Sequence, residues 1–345
     1  MRVGILTGGG DCPGLNPAIR GAVMRGLDHG FEMVGLELGW KGLVEGLSRD
    51  LRLEHVESIV REGGTMLGSS RTNPFRKNGD EDLNRCLETW KSLKLDALIA
   101  LGGEDTLGVA NKFYRHHGLH MVGVPKTMDN DLSNTDFTFG FDSAGGVALD
   151  AADRLLDTAR SHRRILILEV MGRHAGWVAL HVGIAAGADW ITVPEVPLDL
   201  EAMMAALRRK RERGKTWGLV VASEGTILPT VDTGDIQLDD FGHTTLKERK
   251  VGDFLSEEIE KALNVETRAV VLGHVQRGGA PSLFDRVLGS RVGIKAADMV
   301  RDGEWGKMAA LRGSEVLSVD LEVAVNNLKT VPLAFWEEAV SLINK

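Results

Sequence analysis

Short apolar runs recur along the chain, too continuous for half-exposed strands, and each ends in a glycine-rich or acid-rich turn. "RVGILT" runs into "GGGDCPGLN", "DALIAL" into "GGEDT", "HMVGVP" into "KTMDND", "RILILEV" into "MGRHAGW" and "GLVVAS" into "EGT". Behind the first turn the period lengthens to that of an amphipathic helix. Ile19, Ala22, Val23 and Leu27 share one face, Asn16 is placed to cap the helix with Pro17 at its first position, and Gly30 lies past its end. A second helix is predicted to start near Thr106. Strands buried on both faces and alternating with helices predict a parallel, doubly wound α/β architecture, in which ligands gather at the carboxyl ends of the strands, where these turns lie. The stretch 227–246, "ILPTVDTGDIQLDDFGHTTL", breaks the pattern. Its polar and glycine content predicts a surface loop or hairpin ahead of a helix in "GDFLSEEIEKALN".

Composition adds scale and exclusions. The chain has 345 residues, 43% of them hydrophobic, enough for two domain-sized units. Its formal net charge is -8, and the strongest basic cluster, "RRKRERGK" at 208–215, reads as the exposed end of a helix, so nucleic acid is not an expected partner. The two cysteines, Cys12 and Cys86, have neither metal nor disulfide-framework spacing, which fits a reducing compartment. No signal-peptide-like segment and no apolar stretch of about 20 residues occurs, which predicts a cytoplasmic protein with no membrane partner.

The turns carry the chemistry. "GGGDCPGLN" lacks the Lys-Ser/Thr of a P-loop and has Pro13 where a dinucleotide fingerprint has its last glycine. It reads either as a tight strand-to-helix turn or as an anion cradle of backbone N–H groups at a helix start. Glu104 and Asp105 in "GGEDT" either cap the following helix or hold Mg2+, which makes carboxylates compatible with phosphates by bridging the two. "PKTMDNDL" crowds Thr127, Asp129, Asn130 and Asp131 beside Lys126, more polar chemistry than a turn needs, and an aspartate there suits a base for an attacking hydroxyl. "RAVVLGHVQRGG" reads as Arg268, His274 and Arg277 near one strand end, a grouping suited to a phosphomonoester. A lone histidine such as His174 is more often structural than catalytic, and Glu224 reads equally well as a helix cap.

Six motifs, "GGGDCPGLN", "GGTMLGSSR", "GGEDT", "PKTMDND", "EVMGRHAGW" and "ETRAVVLGHVQRGGAPSLFDR", resemble in order and approximate spacing those of the 6-phosphofructokinases, and the resemblance covers nearly the whole chain. It implies two doubly wound α/β domains with the active site in the cleft between them. Residues 1–140 with 276–345 would bind the phosphoryl donor and 141–275 the sugar phosphate. The implied reaction is transfer of a phosphoryl group to the 1-hydroxyl of fructose 6-phosphate, with Mg2+ as cofactor. By motif, Asp129 is implied to be the base, with Thr127 and Asp131 beside it; Gly10 and Arg71 bind the donor, and Glu104 organises Mg2+. Met171, Gly172 and Arg173 are implied to hold the sugar and the transferring group, Glu224 a sugar hydroxyl, and His274 with Arg277 the 6-phosphate. Arg164 and Arg268 match arginines that reach across from a neighbouring subunit, which implies a homodimer or homotetramer with shared sites. ATP-using members have glycine at the position of Asp105 and commonly at that of Lys126, whereas pyrophosphate-using members resemble this chain at both. The expected partners are therefore fructose 6-phosphate and pyrophosphate. The alternatives are an ATP-dependent enzyme of the same fold and a non-catalytic sugar-phosphate sensor.

Overall fold

The computed structural model describes residues 1–76, 80–229 and 250–343. Most of the 227–246 stretch lies outside them, as do the hairpin or loop expected there. Five strands come first: β1 (Arg2–Thr7), β2 (Glu32–Leu36), β3 (Ser48–Leu51), β4 (Ala97–Gly102) and β5 (Met121–Pro125). Then follow β6 (Ile165–Val170), β7 (Trp190–Thr192), β8 (Gly218–Ser223) and β9 (Thr267–Val271), and finally β10 (Lys307–Arg312) and β11 (Glu315–Asp320). The outer groups form one seven-stranded sheet of order β11-β10-β5-β4-β1-β2-β3, and the middle four form a second sheet of order β7-β8-β6-β9.

The second sheet is parallel throughout. In the first, the strands from β10 to β2 run parallel, and an antiparallel strand closes each edge, β11 on β10 and β3 on β2. The antiparallel hairpin of β10 and β11 was not foreseen. Alternation along β4 explains why helices cover both faces. Ala97, Ile99 and Leu101 enter one apolar cluster with the helices Leu15–Asp28 and Leu283–Arg301, and Leu98 and Ala100 enter another with the helix Glu104–His117. A third cluster surrounds the four-stranded sheet.

Several local expectations change. The first helix starts at Leu15 behind Gly14, whose φ of 110° no side-chain-bearing residue adopts easily, and its end carries no side-chain cap. Asn16 is not the cap. Its amide donates to the carbonyls of Glu62 and Gly63 and its Oδ1 accepts from the Met66 N–H at 2.7 Å, tying the 62–66 loop to the helix. The second helix begins at Glu104, not near Thr106, so both acids sit in its first turn. In the 208–215 cluster the Lys210 and Lys215 ammoniums turn inward onto buried Asp189, at 3.0 and 2.6 Å, instead of standing in solvent. The last helix, Leu333–Ile343, sends Ala339 and Ile343 into the cluster around the four-stranded sheet. It packs there, and not with the seven-stranded sheet where the sequence grouped residues 276–345, because the apolar Phe335 and Trp336 find cover against that cluster.

Candidate active site

The carboxyl ends of β1, β4, β5 and β6 converge on one cleft. Gly9, Gly10, Arg71, Gly103, Glu104, Asp105, Thr106, Lys126, Thr127, Met128, Asp129, Asp131, Arg173 and Arg277 line it. Ten of the residues singled out by sequence are thus brought together: Gly10, Arg71, Glu104, Asp105, Lys126, Thr127, Asp129, Asp131, Arg173 and Arg277. The segments that supply them lie up to 267 residues apart, and only the sheet order makes them neighbours.

The glycine turn after β1 is held from below. The buried Lys126 ammonium donates to the Gly10 carbonyl at 2.6 Å, and an Arg277 guanidinium N–H donates to the Asp11 carbonyl at 3.0 Å. A Cβ on Gly10 would come within 2.5 Å of Arg277 Nη1, so only glycine lets the guanidinium lie against the backbone here. Burial lowers the Lys126 pKa from the ordinary lysine value, since the charged form has lost its water.

The "TMDND" turn is fixed by its own polar groups. The Asp129 N–H donates to Thr127 Oγ1 at 3.0 Å, the Thr138 hydroxyl to the Thr127 carbonyl at 2.6 Å, and the Thr138 N–H to Asn130 Oδ1 at 3.1 Å. Asn130 has φ 54°, a left-handed conformation that asparagine tolerates better than most residues. Asp129 is buried, and its Oδ1 has no hydrogen-bond partner among the described residues. Burial, and then the neighbouring Asp129 carboxylate, push Asp131 up to about 7.

Opposite lies the turn after β6. The Gly172 and Arg173 N–H groups both donate to Glu224 Oε1, at 3.2 and 3.1 Å, and the Met171 N–H donates to Gln276 Oε1 at 2.7 Å. Arg173 is held at φ 50°, and its carbonyl lies so near Gly225 that a Cβ there would approach within 1.9 Å. Its guanidinium reaches across the cleft to Asp105 at 3.8 Å. Glu224 therefore supports the Arg173 turn, and burial raises its pKa.

Other expected residues are elsewhere. His274 is exposed and outside the cleft lining, although Arg277, three residues on, is inside it. Arg164 and Arg268 are not near the carboxyl ends of their strands, which corrects the grouping of Arg268 with His274 and Arg277. They flank the amino ends of β6 and β9, where Leu166 and Arg268 are paired in register. At about 3.3 Å per residue that is roughly 20 Å from Met171. Both are held by one carboxylate, Glu266, at 2.6 and 2.8 Å. Sequence reasoning missed Gln276 and Thr106; the latter's hydroxyl and methyl lie where any side chain on Gly8 would have to go.

Chemically, the cleft offers one buried carboxylate with an oxygen that has no hydrogen-bond partner among the described residues, three further acids, a lysine and three arginines, the complement for moving a phosphoryl group onto a hydroxyl. Similarity to known proteins agrees. A family described as phosphofructokinase matches residues 2–300. A pyrophosphate–fructose 6-phosphate 1-phosphotransferase of Dictyoglomus thermophilum is 53% identical over 348 residues, covering 100% of this chain and 99% of that one. An ATP-dependent 6-phosphofructokinase 3 of Streptomyces coelicolor is 49% identical over 342 residues, covering 98% and 99%. The solved phosphofructokinase of Saccharomyces cerevisiae matches with a TM-score of 0.79 at 27% identity, over 99% of this chain and 47% of that one.

Proposed function

This chain belongs to the phosphofructokinase family, and from the chemistry of its cleft we propose that it transfers a phosphoryl group from inorganic pyrophosphate to the 1-hydroxyl of fructose 6-phosphate, using Mg2+. The observation that carries the donor assignment is Asp105. It stands in the cleft one residue into the helix that begins at Glu104, where its carboxylate meets the Arg173 guanidinium. A nucleotide brings an α-phosphate and ribose that pyrophosphate lacks, and a carboxylate beside them is repelled as well as crowded. Like charges at close range, shielded from water, cost on the order of a few kcal/mol. Lys126 complements it by placing a cation under the glycine turn, where a short donor's phosphate meets it.

In this reading Asp129 accepts the proton of the 1-hydroxyl. Its Oδ1 is a buried acceptor in the cleft with no hydrogen-bond partner among the described residues, and a buried oxygen without a partner is uncommon unless a ligand completes it. Thr127 orients the Asp129 backbone, and Met171, Gly172 and Glu224 set the turn from which Arg173 spreads its donors toward the transferring group. Gly10 and Arg71 receive the donor, and Arg277 adds charge beneath the glycine turn. The acids fit Mg2+, because a divalent cation offsets both the burial and the neighbouring Asp129 charge that push Asp131 up to about 7. Glu104 would hold the ion, a hard cation that takes oxygen ligands. Bound there it would supply positive charge to offset that of the donor.

Arg164 and Arg268 suit a partner copy's sugar-phosphate site better than their own, given their distance from Met171. β9 is a sheet edge, and Val271 at its end, Val275 just past it, and Leu283 and Val287 on the helix Leu283–Arg301 are half or more exposed, apolar surface that favours a homo-oligomer. The ATP-dependent reading has support from the Streptomyces relative, and one experiment separates the two. At saturating fructose 6-phosphate and Mg2+, wild type is expected to favour pyrophosphate. The ratio of kcat/KM for ATP over pyrophosphate is expected to rise in Asp105→Gly, and further with Lys126→Gly. ATP activity should stay modest, since relieving a clash builds no adenine pocket. A wild type that prefers ATP, or a ratio that does not rise, would sink the pyrophosphate assignment.

A further inference from the structure

A short segment near the end of the chain ties the two walls of the cleft together. Leu328 forms an antiparallel bridge with Leu132, and the Lys329 N–H donates to the Asp131 carbonyl at 2.8 Å. The Lys329 ammonium then donates to Asn130 Oδ1 at 3.1 Å, to the Thr135 carbonyl at 3.0 Å and to the Asp136 carbonyl at 2.6 Å. An ammonium has three N–H bonds, and here each has an acceptor within or beside the turn that carries Asp129. The same segment grips the opposite wall. The Trp177 indole N–H donates to the Lys329 carbonyl at 2.8 Å, and the Val331 N–H to Glu195 Oε1 at 2.9 Å. Both Glu195 oxygens accept from the Gly176 N–H, three residues past Arg173. The Lys329 ammonium also lies 5.1 Å from the Trp177 ring centroid.

We propose that Lys329 is a positioning residue for phosphoryl transfer and that residues 328–331 are a strap setting the separation between the Asp129 turn and the Arg173 turn. Lys329 touches no reacting atom. Its grip on Asn130 holds a residue whose left-handed backbone, φ 54°, decides where Asp129 on one side and Asp131 on the other point. Burial pushes the lysine down to about 8, so the ammonium is kept in an environment that disfavours it, and bulk packing of the strap needs no charge. The proposal rests on the roles given above to Asp129 and Arg173.

The test uses the full-length enzyme with its preferred donor. In Lys329→Met, which keeps the side chain's length and its packing on Trp177, kcat should fall 10- to 100-fold while KM for fructose 6-phosphate and for the donor stay within about threefold. Lys329→Cys alkylated with 2-bromoethylamine, in which the thiolate displaces bromide, restores an ammonium at nearly the native reach and should recover most of the lost kcat. Cys12 and Cys86 are buried, with thiols pushed up to about 12, so the reagent discriminates. The alkylated and unalkylated forms of one preparation decide the matter even if Lys329→Met does not fold. A folded Lys329→Met with kcat within twofold of wild type, or no recovery on alkylation, overturns the strap. Asp129→Asn assayed in parallel separates the layers: if it retains turnover, the base assignment and the proposal fall together, whereas an inactive Asp129→Asn beside a fully active Lys329→Met removes the strap alone.

Discussion

The two walls of the cleft are finished to different degrees. On the wall built by β1, β4 and β5, three charged groups are engaged within the chain: Lys126 under Gly10, Arg277 on Asp11, Asp105 against Arg173. On the opposite wall, Arg173 faces the cleft, but Arg164 and Arg268 lie at the far end of the four-stranded sheet, engaged by Glu266. In the function proposed above, one copy then contains a donor site and only part of an acceptor site, so that phosphate recognition on the acceptor side would be a property of association and donor recognition a property of the fold.

The contrast breaks most sharply at Asp129. Asp129→Asn should keep folding and binding on both walls yet lower turnover by roughly 100- to 10,000-fold, the range for loss of a general base; turnover within a few-fold of wild type would remove the role. Next comes Arg268→Ala, which should raise KM for fructose 6-phosphate by an order of magnitude or more and leave KM for the donor nearly unchanged. Mixed oligomers of Arg268→Ala and Asp129→Asn chains should regain part of the activity, because one kind of shared site then has both groups intact. Verified mixed oligomers that stay inactive would mean each chain builds its own acceptor site.

The smallest effect is on stability. Asp131 ionises near 7 in the fold against an ordinary value of 3.8, so from about pH 4 to 7 the folded state binds more protons than the unfolded one. Stability of the ligand-free protein from this group therefore falls as pH rises through that window, and is flat above it. Asp131→Asn removes the loss. Its Tm should exceed that of wild type by on the order of a few degrees at pH 8 and match it near pH 4, measured without Mg2+ or phosphate. Equal melting at both pH values would mean the acidic wall carries no strain.

Much of this was legible in the chain. The five apolar runs are strands, and the turns behind them supply eight of the ten cleft residues, because a strand buried on both faces has few ways to be written and a phosphate-holding turn has fewer. Helix starts were less legible: Asn16 has the chemistry of a cap, but Gly14 makes the turn and the asparagine spends its bonds on a distant loop. Arg268 was misplaced because β9 runs between it and the turn that carries Arg277, nine residues on, so the two stand at opposite ends of the strand. Lys329 left no local signal at all. Its partners lie about 200 residues earlier, and nothing in "NNLKTVP" distinguishes it from a surface lysine.

The place of β10 in the seven-stranded sheet has a consequence for how the protein is made. β5 pairs with β10 through Val122 and Lys307, so its outer edge stays open until the residues around Lys307 have left the ribosome. All four strands of the other sheet, by contrast, lie between residues 165 and 271 and are synthesised before β10 exists. At the usual rate of about 5–20 residues per second, some 10 to 40 seconds separate the emergence of β5 from that of its partner. Throughout that interval a flat, apolar strand edge waits in a crowded cell, a moment when chaperones or a misplaced strand compete for it.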